Sequence, residues 1–524
     1  MPGDPGPWSP DRWFLTAAER DNDATALDLR AAGRIAWTTG NRVRPLVHGA
    51  AYFAELLAAV RDLRPGDHLF FTDWRGDADE RLAGPGTEVA AVLADAAARG
   101  VLVRGLLWRS HADMVRYHER ANRSLGEQIQ AAGGECLLDM RVRPAGSHHQ
   151  KLVVLRHRGR PERDVAYVGG IDLCHGRRDD ASHEGDDQPC PIGAAYGRRP
   201  AWHDVQLAVQ GPAVADVERT FRERWEDPGP LSRSPYRRWR DRVLRPTGPA
   251  PCPVPLPAPP PCGSDAVQVL RTFPHRRRGY AFAPAGERSI ARAHLKALTR
   301  ARRLIYLEDQ YIWSPLVVAA FAQTLAERPE LRLIAVLPHH PDRDSALVNA
   351  PQLFARAQVM TLLHRAGPGR VAFYGIENPA GTPVYVHAKV TIIDDEWCTV
   401  GSDNLNLRSW TYDSEISCAV LDQSGAADCV ARRLRLALFR EHLDRADDAG
   451  LPDPATAFAA FARSAARLQA WHDGGRRRTR PPGRLRPYPL PVLSPVTRWW
   501  SAPAYRHLYD PDGRPPALRR AGAF

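Results

Sequence analysis

Cysteine is used thinly in this chain of 524 residues, eight in all, and no two form a CxxC pair. A zinc ribbon and a thioredoxin-type redox site are therefore excluded, and a reducing cytoplasm is the expected compartment. Cys252 and Cys262 flank a proline-rich stretch and read either as exposed thiols or as a local bridge. No window of about 18 uncharged apolar residues occurs, which argues against a membrane-spanning helix. The start, Met1-Pro2-Gly3-Asp4-Pro5, lacks the basic segment and apolar run of a secretory leader, and none is expected. Lysine is sparse beside arginine, and the formal net charge is +12. Part of that excess sits in Arg237-Arg238-Trp239-Arg240 and Arg476-Arg477-Arg478-Thr479-Arg480. The charge reads as biased composition with local clusters, so nucleic acid is not the expected partner. The tail adds Arg484, Arg486, Arg498, Trp499 and Trp500. This mixture suits either transient contact with an anionic membrane surface or a solvated arm packed around the fold.

Two segments, His149-Gln150-Lys151 and His387-Ala388-Lys389, carry an imidazole and an ammonium two residues apart, each followed by a β-branched apolar run and a Gly-rich turn. In a strand, residues i and i+2 share a face, so each segment is predicted to present a nucleophile or proton carrier beside an anion-binding charge. The repeat extends outward. His68–Asp73 and Leu304–Gln310 are apolar strands ending in carboxylates; Val101–Leu107 matches Leu331–Leu337, and Asp204–Val209 matches Glu415–Val420. Val214, Val217, Phe221 and Trp225 fall on one helical face, as do Val430, Leu434 and Leu438. A helix over Thr87–Arg99 stops at Gly100. At 44% hydrophobic residues the chain can bury two cores. The expected fold is α/β: two similar α-β-α sandwich domains from an internal duplication, related by a pseudo-two-fold, packed face to face with one active site between them. The expected boundaries are an N-terminal extension at 1–40, a first half at 41–245, a linker at 246–263, a second half at 264–445 and a helical, basic-aromatic extension at 446–524. Pro246–Pro261, with nine prolines, should be an extended connector.

The second copy, His387-x-Lys389-x4-Asp394 followed by Gly401-Ser402-Asp403-Asn404, resembles the HxKxxxxD and GSxN signature of the phospholipase D superfamily. The first copy, His148-His149-Gln150-Lys151 with Gly169–Arg177, resembles the first site of eukaryotic-type phospholipases D, as do Trp202-His203-Asp204 and Ile305–Tyr311. The resemblance covers roughly residues 40–445. It implies a phosphodiesterase that hydrolyses or transphosphatidylates glycerophospholipids through a phosphohistidine, acting as a monomer without cofactor or metal. It also implies His149 as nucleophile and His387 as acid/base, an order that residue types alone leave open. Lys151 and Lys389 would neutralise the phosphate oxygens, with Asp394 completing the catalytic motif. Asp172, Ser402 and Asn404 would line the phosphate pocket, and Asp204 and Glu415 would each accept a hydrogen bond from one imidazole and set its tautomer. The alternatives are a cardiolipin-synthase-like phosphatidyltransferase, a superfamily nuclease, or a phosphate-binding scaffold without activity.

One position departs from the pattern: Arg156 stands where the first copy should carry the Asp that the second has as Asp394. The first copy also runs six residues longer before its Gly turn, with Glu162 or Asp164 as possible substitutes. His48, His157 and His203 read as packing or surface residues, and His148 as a group beside His149. Asp73, Glu308 and Asp309 close strands at the mouth of the site, with or without a direct role.

Overall fold

The structure, a computed structural model, describes residues 9–29, 34–111, 118–244, 249–422 and 428–524. Among them run eighteen strands. The first half holds β1 (Thr38–Val47), β2 (His68–Asp73), β3 (Leu102–Trp108), β4 (Glu135–Asp139), β5 (Leu152–Arg156), β6 (Val165–Gly169), β7 (Ala201–His203) and β8 (Val205–Gln210). The second holds β9 (Asp265–Phe273), β10 (Glu287–Arg288), β11 (Leu304–Glu308), β12 (Arg332–Val336), β13 (Val371–Glu377), β14 (Pro383–Val386), β15 (Val390–Ile393), β16 (Trp397–Gly401), β17 (Glu415–Asp422) and β18 (Leu485–Pro487).

The first sheet has the order β4-β3-β2-β5-β6-β8-β1, parallel across β2-β3-β4 and antiparallel elsewhere. The second repeats it as β13-β12-β11-β15-β16-β17-β9, parallel across β11-β12-β13. The register is the same in both. Leu152, just after Lys151, faces Thr72, and Val390, just after Lys389, faces Glu308. The edges meet where β1 pairs with β9, Thr38 opposite Val267.

Alternation along the strands divides the apolar residues between layers. Leu69 and Phe71 of β2 face helices 49–62, 89–98 and 119–131 on the outside, whereas Phe70 faces inward. Ile305 and Leu307 likewise face helices 289–298, 315–327 and 346–366, and Tyr306 faces inward. The two inward faces share one core around helices Val214–Trp225, Val430–Leu443 and Pro454–Asp473, with Phe221, Leu438 and Phe461 buried in it. The predicted two sandwiches thus close on each other through a common helical layer.

The connecting segments are more involved than the sequence suggested. The proline-rich linker is laid along the first half, its carbonyls accepting from Trp225 Nε1 at Ala250 (2.9 Å) and from Arg156 at Pro257 (2.5 Å). Cys252 and Cys262 are free and half-buried. The N-terminal extension packs on the second half, where buried Arg20 pairs with Asp28 and Glu287 at 3.1 and 2.8 Å. The C-terminal region supplies a helix to the shared core and β18 to the second sheet beside β13. No described helix is long and apolar enough to cross a membrane.

Candidate active site

His149 and Lys151 stand just before β5, and His387 to Lys389 fill the gap between β14 and β15. The prediction put them inside strands; the structure places them at the strand lips, because the backbone there pairs with the opposite half. His149 N–H donates to Ser414 O at 2.9 Å and Ser414 N–H to Ser147 O at 3.1 Å. His387 and Ala388 N–H both donate to His203 O, at 2.8 and 3.2 Å, and β14 runs parallel to β7. Each lysine folds back on the carbonyl of its own histidine, Lys151 Nζ to His149 O at 3.0 Å and Lys389 Nζ to His387 O.

The same exchange crosses the carboxylates. His149 Nδ1 lies 2.8 Å from Glu415 Oε2, and His387 Nδ1 lies 2.6 Å from Asp204 Oδ2. Each imidazole is oriented by an acid from the other half. A carboxylate on Nδ1 holds the proton there and leaves the lone pair on Nε2. The two supports are built differently. On one side Ser402 Oγ donates to Glu415 Oε2 at 2.5 Å and accepts Ile416 N–H at 3.0 Å. On the other, position 170 is glycine, and a Cβ there would collide with the Asp204 carboxylate. Asp204 instead accepts Val205 N–H at 2.9 Å and is approached by Trp202 Nε1 at 3.4 Å.

Three sequence assignments change. Ser402 was expected on the phosphate, but its hydroxyl is spent on Glu415, behind His149. Asp172 was also expected there, yet its Oδ1 lies 3.5 Å from Lys151 Nζ and accepts the N–H groups of Trp74 and Arg75 at 3.0 and 3.3 Å. A carboxylate repels a phosphate; this one holds Lys151. Asp394 follows β15 at the end opposite Lys389, roughly 16 Å away at the rise of a strand. It adopts φ +53° and accepts N–H from Arg302, Arg303 and Leu304 at 2.6, 2.8 and 2.8 Å. It ties a hairpin tip.

In the first half that tip is tied differently. Buried Arg156 pairs with Asp164 at 2.7 Å and with Glu218, while Asp164 accepts His157 N–H at 2.6 Å and Asp67 accepts Arg158 N–H at 2.7 Å. Asp164, not Glu162, faces the arginine.

Lys389 donates to Gln310 Oε1 at 3.3 Å. Beside the lysines lie two buried acids at matching places, Asp73 and Asp309; burial pushes both up, Asp309 to about 7. Asp309 accepts N–H from Tyr311 and Leu405 at 2.6 and 2.8 Å, closing the turn that carries Asn404. Asn404 Oδ1 is buried without a partner.

Burial, then the charges of Lys151 and Lys389, holds His149 well below the ordinary histidine range. Burial, Lys389 and Arg177 do the same for His387, so both imidazoles are neutral in the free site. Burial pushes Glu415 up, against the Ser402 hydrogen bond and the Lys151 charge that favour its carboxylate, and lowers Lys389 to about 8. Three neighbours escaped sequence reasoning. Trp74 meets His149 edge-on at 6.1 Å, Trp202 lies against His387 at 4.9 Å, and Arg177 covers Trp202 at 3.7 Å. Trp202 and Arg177 belong to stretches that carried the resemblance, but nothing in a linear motif says that they touch.

The chain is similar to known proteins in both halves. A family model described as phospholipase D matches residues 87–235, and one described as cardiolipin synthase, PLD-like domain, matches 295–434. Phospholipase D alpha 1 of Cynara cardunculus is 27% identical over 420 residues, covering 60% of this chain and 51% of the relative. Phospholipase D alpha 1 of Carica papaya is 26% identical over 497 residues, covering 71% and 60%. The chain thus spans about half to three-fifths of the length of these relatives. Among solved structures, phosphatidylserine synthase of Haemophilus influenzae Rd KW20 aligns with a TM-score of 0.51 at 13% identity, over 82% of this chain and 93% of that one, which is a likeness of fold. With one family match in each half of a duplicated sheet and an HxK segment at the same register in both, the chain belongs to the phospholipase D superfamily.

Proposed function

We propose that the protein is a phospholipase D-type enzyme that cleaves the phosphodiester of a glycerophospholipid through a phosphohistidine, transferring the phosphatidyl group to water or to an alcohol. The observation that carries this reading is the crossed pair: two neutral imidazoles, one per half, each with Nδ1 on a carboxylate of the other half. His149 Nε2 attacks phosphorus, splitting one difficult displacement into two easier ones. His387 protonates the leaving oxygen and then takes a proton from the incoming water or alcohol. The bound phosphodiester supplies the negative charge that offsets the lysines and lifts His387 into a proton-carrying range. Lys151 and Lys389 neutralise the non-bridging oxygens, and the Asn404 side-chain N–H donates a hydrogen bond to them.

Hydrolysis is the leading outcome, supported by the plant relatives' names. The match of the second half to a cardiolipin-synthase-type model supports phosphatidyl transfer as the second reading. Incubation with a panel of phospholipids, with and without ethanol, tests both. Free headgroup and phosphatidic acid, replaced by phosphatidylethanol when ethanol is present, are expected. Release of neither from any phospholipid, with cleavage of a nucleic acid instead, would overturn the lipid assignment.

A further inference from the structure

Behind the second half-site lies a cluster of ionisable side chains that the phosphate chemistry does not use. His48 follows β1, His183 sits in the 176–200 loop, His203 ends β7, and Glu441 comes from helix Val430–Leu443 of the other half. His48 Nε2 lies 2.8 Å from Glu441 Oε2, and His183 Nε2 and His203 Nδ1 lie 3.0 and 3.4 Å from Glu441 Oε1. One ligand atom from each of the four lies within 4.8 Å of every other. Around a tetrahedral ion with bonds of about 2.1 Å, neighbouring ligand atoms stand roughly 3.4 Å apart. The three rings meet at centroid distances of 4.7, 5.0 and 5.8 Å with interplanar angles of 82°, 72° and 58°. Imidazoles radiating from one point must splay in this way, whereas rings packed for their own sake can stack.

Two of the three far nitrogens carry a second signal, while His48 Nδ1 is buried without a partner. His183 Nδ1 lies 3.2 Å from Asp179 Oδ2, and His203 Nε2 lies 2.8 Å from Glu308 Oε2. Glu308 is held in turn by Tyr306 Oη and His442 Nε2, at 2.6 and 2.8 Å. A carboxylate on the outer nitrogen of a ligating histidine fixes the tautomer that turns the lone pair toward a metal. Fully buried His203 Nδ1, on the cluster side, makes no hydrogen bond of acceptable geometry.

We propose that His48, His183, His203 and Glu441 form a structural site for one divalent transition-metal ion, zinc by the character of its ligands. Three imidazoles and one carboxylate are a donor set for zinc rather than for calcium or magnesium. The four protein ligands close the shell, so the ion has no open position for substrate. It joins Glu441 of the second half to three histidines of the first. It also anchors the second half-site, since His203 O receives the His387 and Ala388 N–H groups and Asp204 follows it in the chain.

The test uses the full chain. After exhaustive exchange into chelator and removal of the chelator, the protein is titrated with Zn²⁺ against a chromophoric competitor and melted at each step. One zinc per chain, sub-micromolar affinity, a melting temperature that rises with zinc, and visible absorption of four-coordinate intensity with Co²⁺ are expected. His183→Gln and Glu441→Gln should each weaken zinc binding at least about tenfold, the scale on which metal sites respond to loss of even a supporting group. Should either variant fail to fold, the wild-type stoichiometry and cobalt spectrum still decide. A wild-type chain that neither retains nor takes up stoichiometric zinc at micromolar concentration overturns the proposal; the histidines then hold protons between Glu441, Glu308 and Asp179. Zinc uptake unchanged in both folded variants overturns it equally.

Discussion

His149 and His387 differ in their surroundings in ways that bear on their roles. His149 keeps 16% of its side chain exposed, beside the edge of Trp74, while His387 lies beneath Trp202 and Arg177 with 7% exposed. Replacing His149 should abolish phosphoenzyme, whereas His387→Ala should slow turnover of a natural lipid by about 10²–10⁴-fold and spare phosphorylation by a nitrophenyl ester, whose leaving group needs no proton. Acid-quench trapping with labelled substrate and peptide mapping checks this; label on the His387 peptide in the wild type would reverse the roles. The supporting acids should matter nearly as much. Glu415→Gln and Asp204→Asn keep the shape but can present N–H to Nδ1 and turn the imidazole to the wrong tautomer, a loss on the order of 10²–10⁴-fold in kcat. A change below threefold in both would sink the crossed-pair reading. The charges also set the pH profile. His149 is depressed, so it stays unprotonated well below pH 6.5 and the acid limb of kcat/KM should lie below an ordinary histidine's. Lys389 loses its charge near pH 8, so phosphate binding should weaken through that range. A kcat/KM profile flat from pH 7 to 10 would contradict the part given to Lys389.

At the scale of the element, the two hairpins after the HxK segments solve one problem with opposite chemistry. In β15–β16 the tip is a tight turn, and Asp394 gathers three backbone N–H groups from the start of β11. In β5–β6 the tip is longer, and a cation, Arg156, is clamped by Asp164 and Glu218 while Asp67 reaches back from the start of β2. Arg156→Asp should therefore not restore a lost motif, because it would set a third carboxylate against two. Denaturant melts should show a loss of about 3–5 kcal/mol for it or for Arg156→Ala, the cost of leaving buried partners uncompensated. Asp394→Ala should lose about 1–3 kcal/mol by stripping acceptors from backbone donors, with kcat within a fewfold at temperatures where the fold holds. A large kcat loss in a stable Asp394→Ala chain would return that residue to the chemistry.

For the whole molecule the consequence is interdependence of the halves. Because each imidazole takes its carboxylate from the other half and both inner sheet faces share one core, neither half should be active alone. Both half-sites lie on one polypeptide, so the intact chain should work as a monomer. Specific activity measured alongside mass over a wide dilution series should stay constant, and its collapse as a monomer appears would contradict this.

The sequence by itself determined the duplication, the order of the strands that carry it, the helical faces at Val214–Trp225 and Val430–Leu443, and the His/Lys pairs, because periodicity and residue type are local properties of a chain. It also found Asp204 and Glu415 as equivalent places in the repeat. What it could not decide was which partner each group meets. Ser402 against Glu415, Asp172 against Lys151, and the gathering of His48, His183, His203 and Glu441 join positions 13 to 393 residues apart. Such contacts depend on how two sheets cross, and the packing of the shared core sets that crossing. A histidine read alone looks like a packing residue; four ligand groups meet only when both halves have closed.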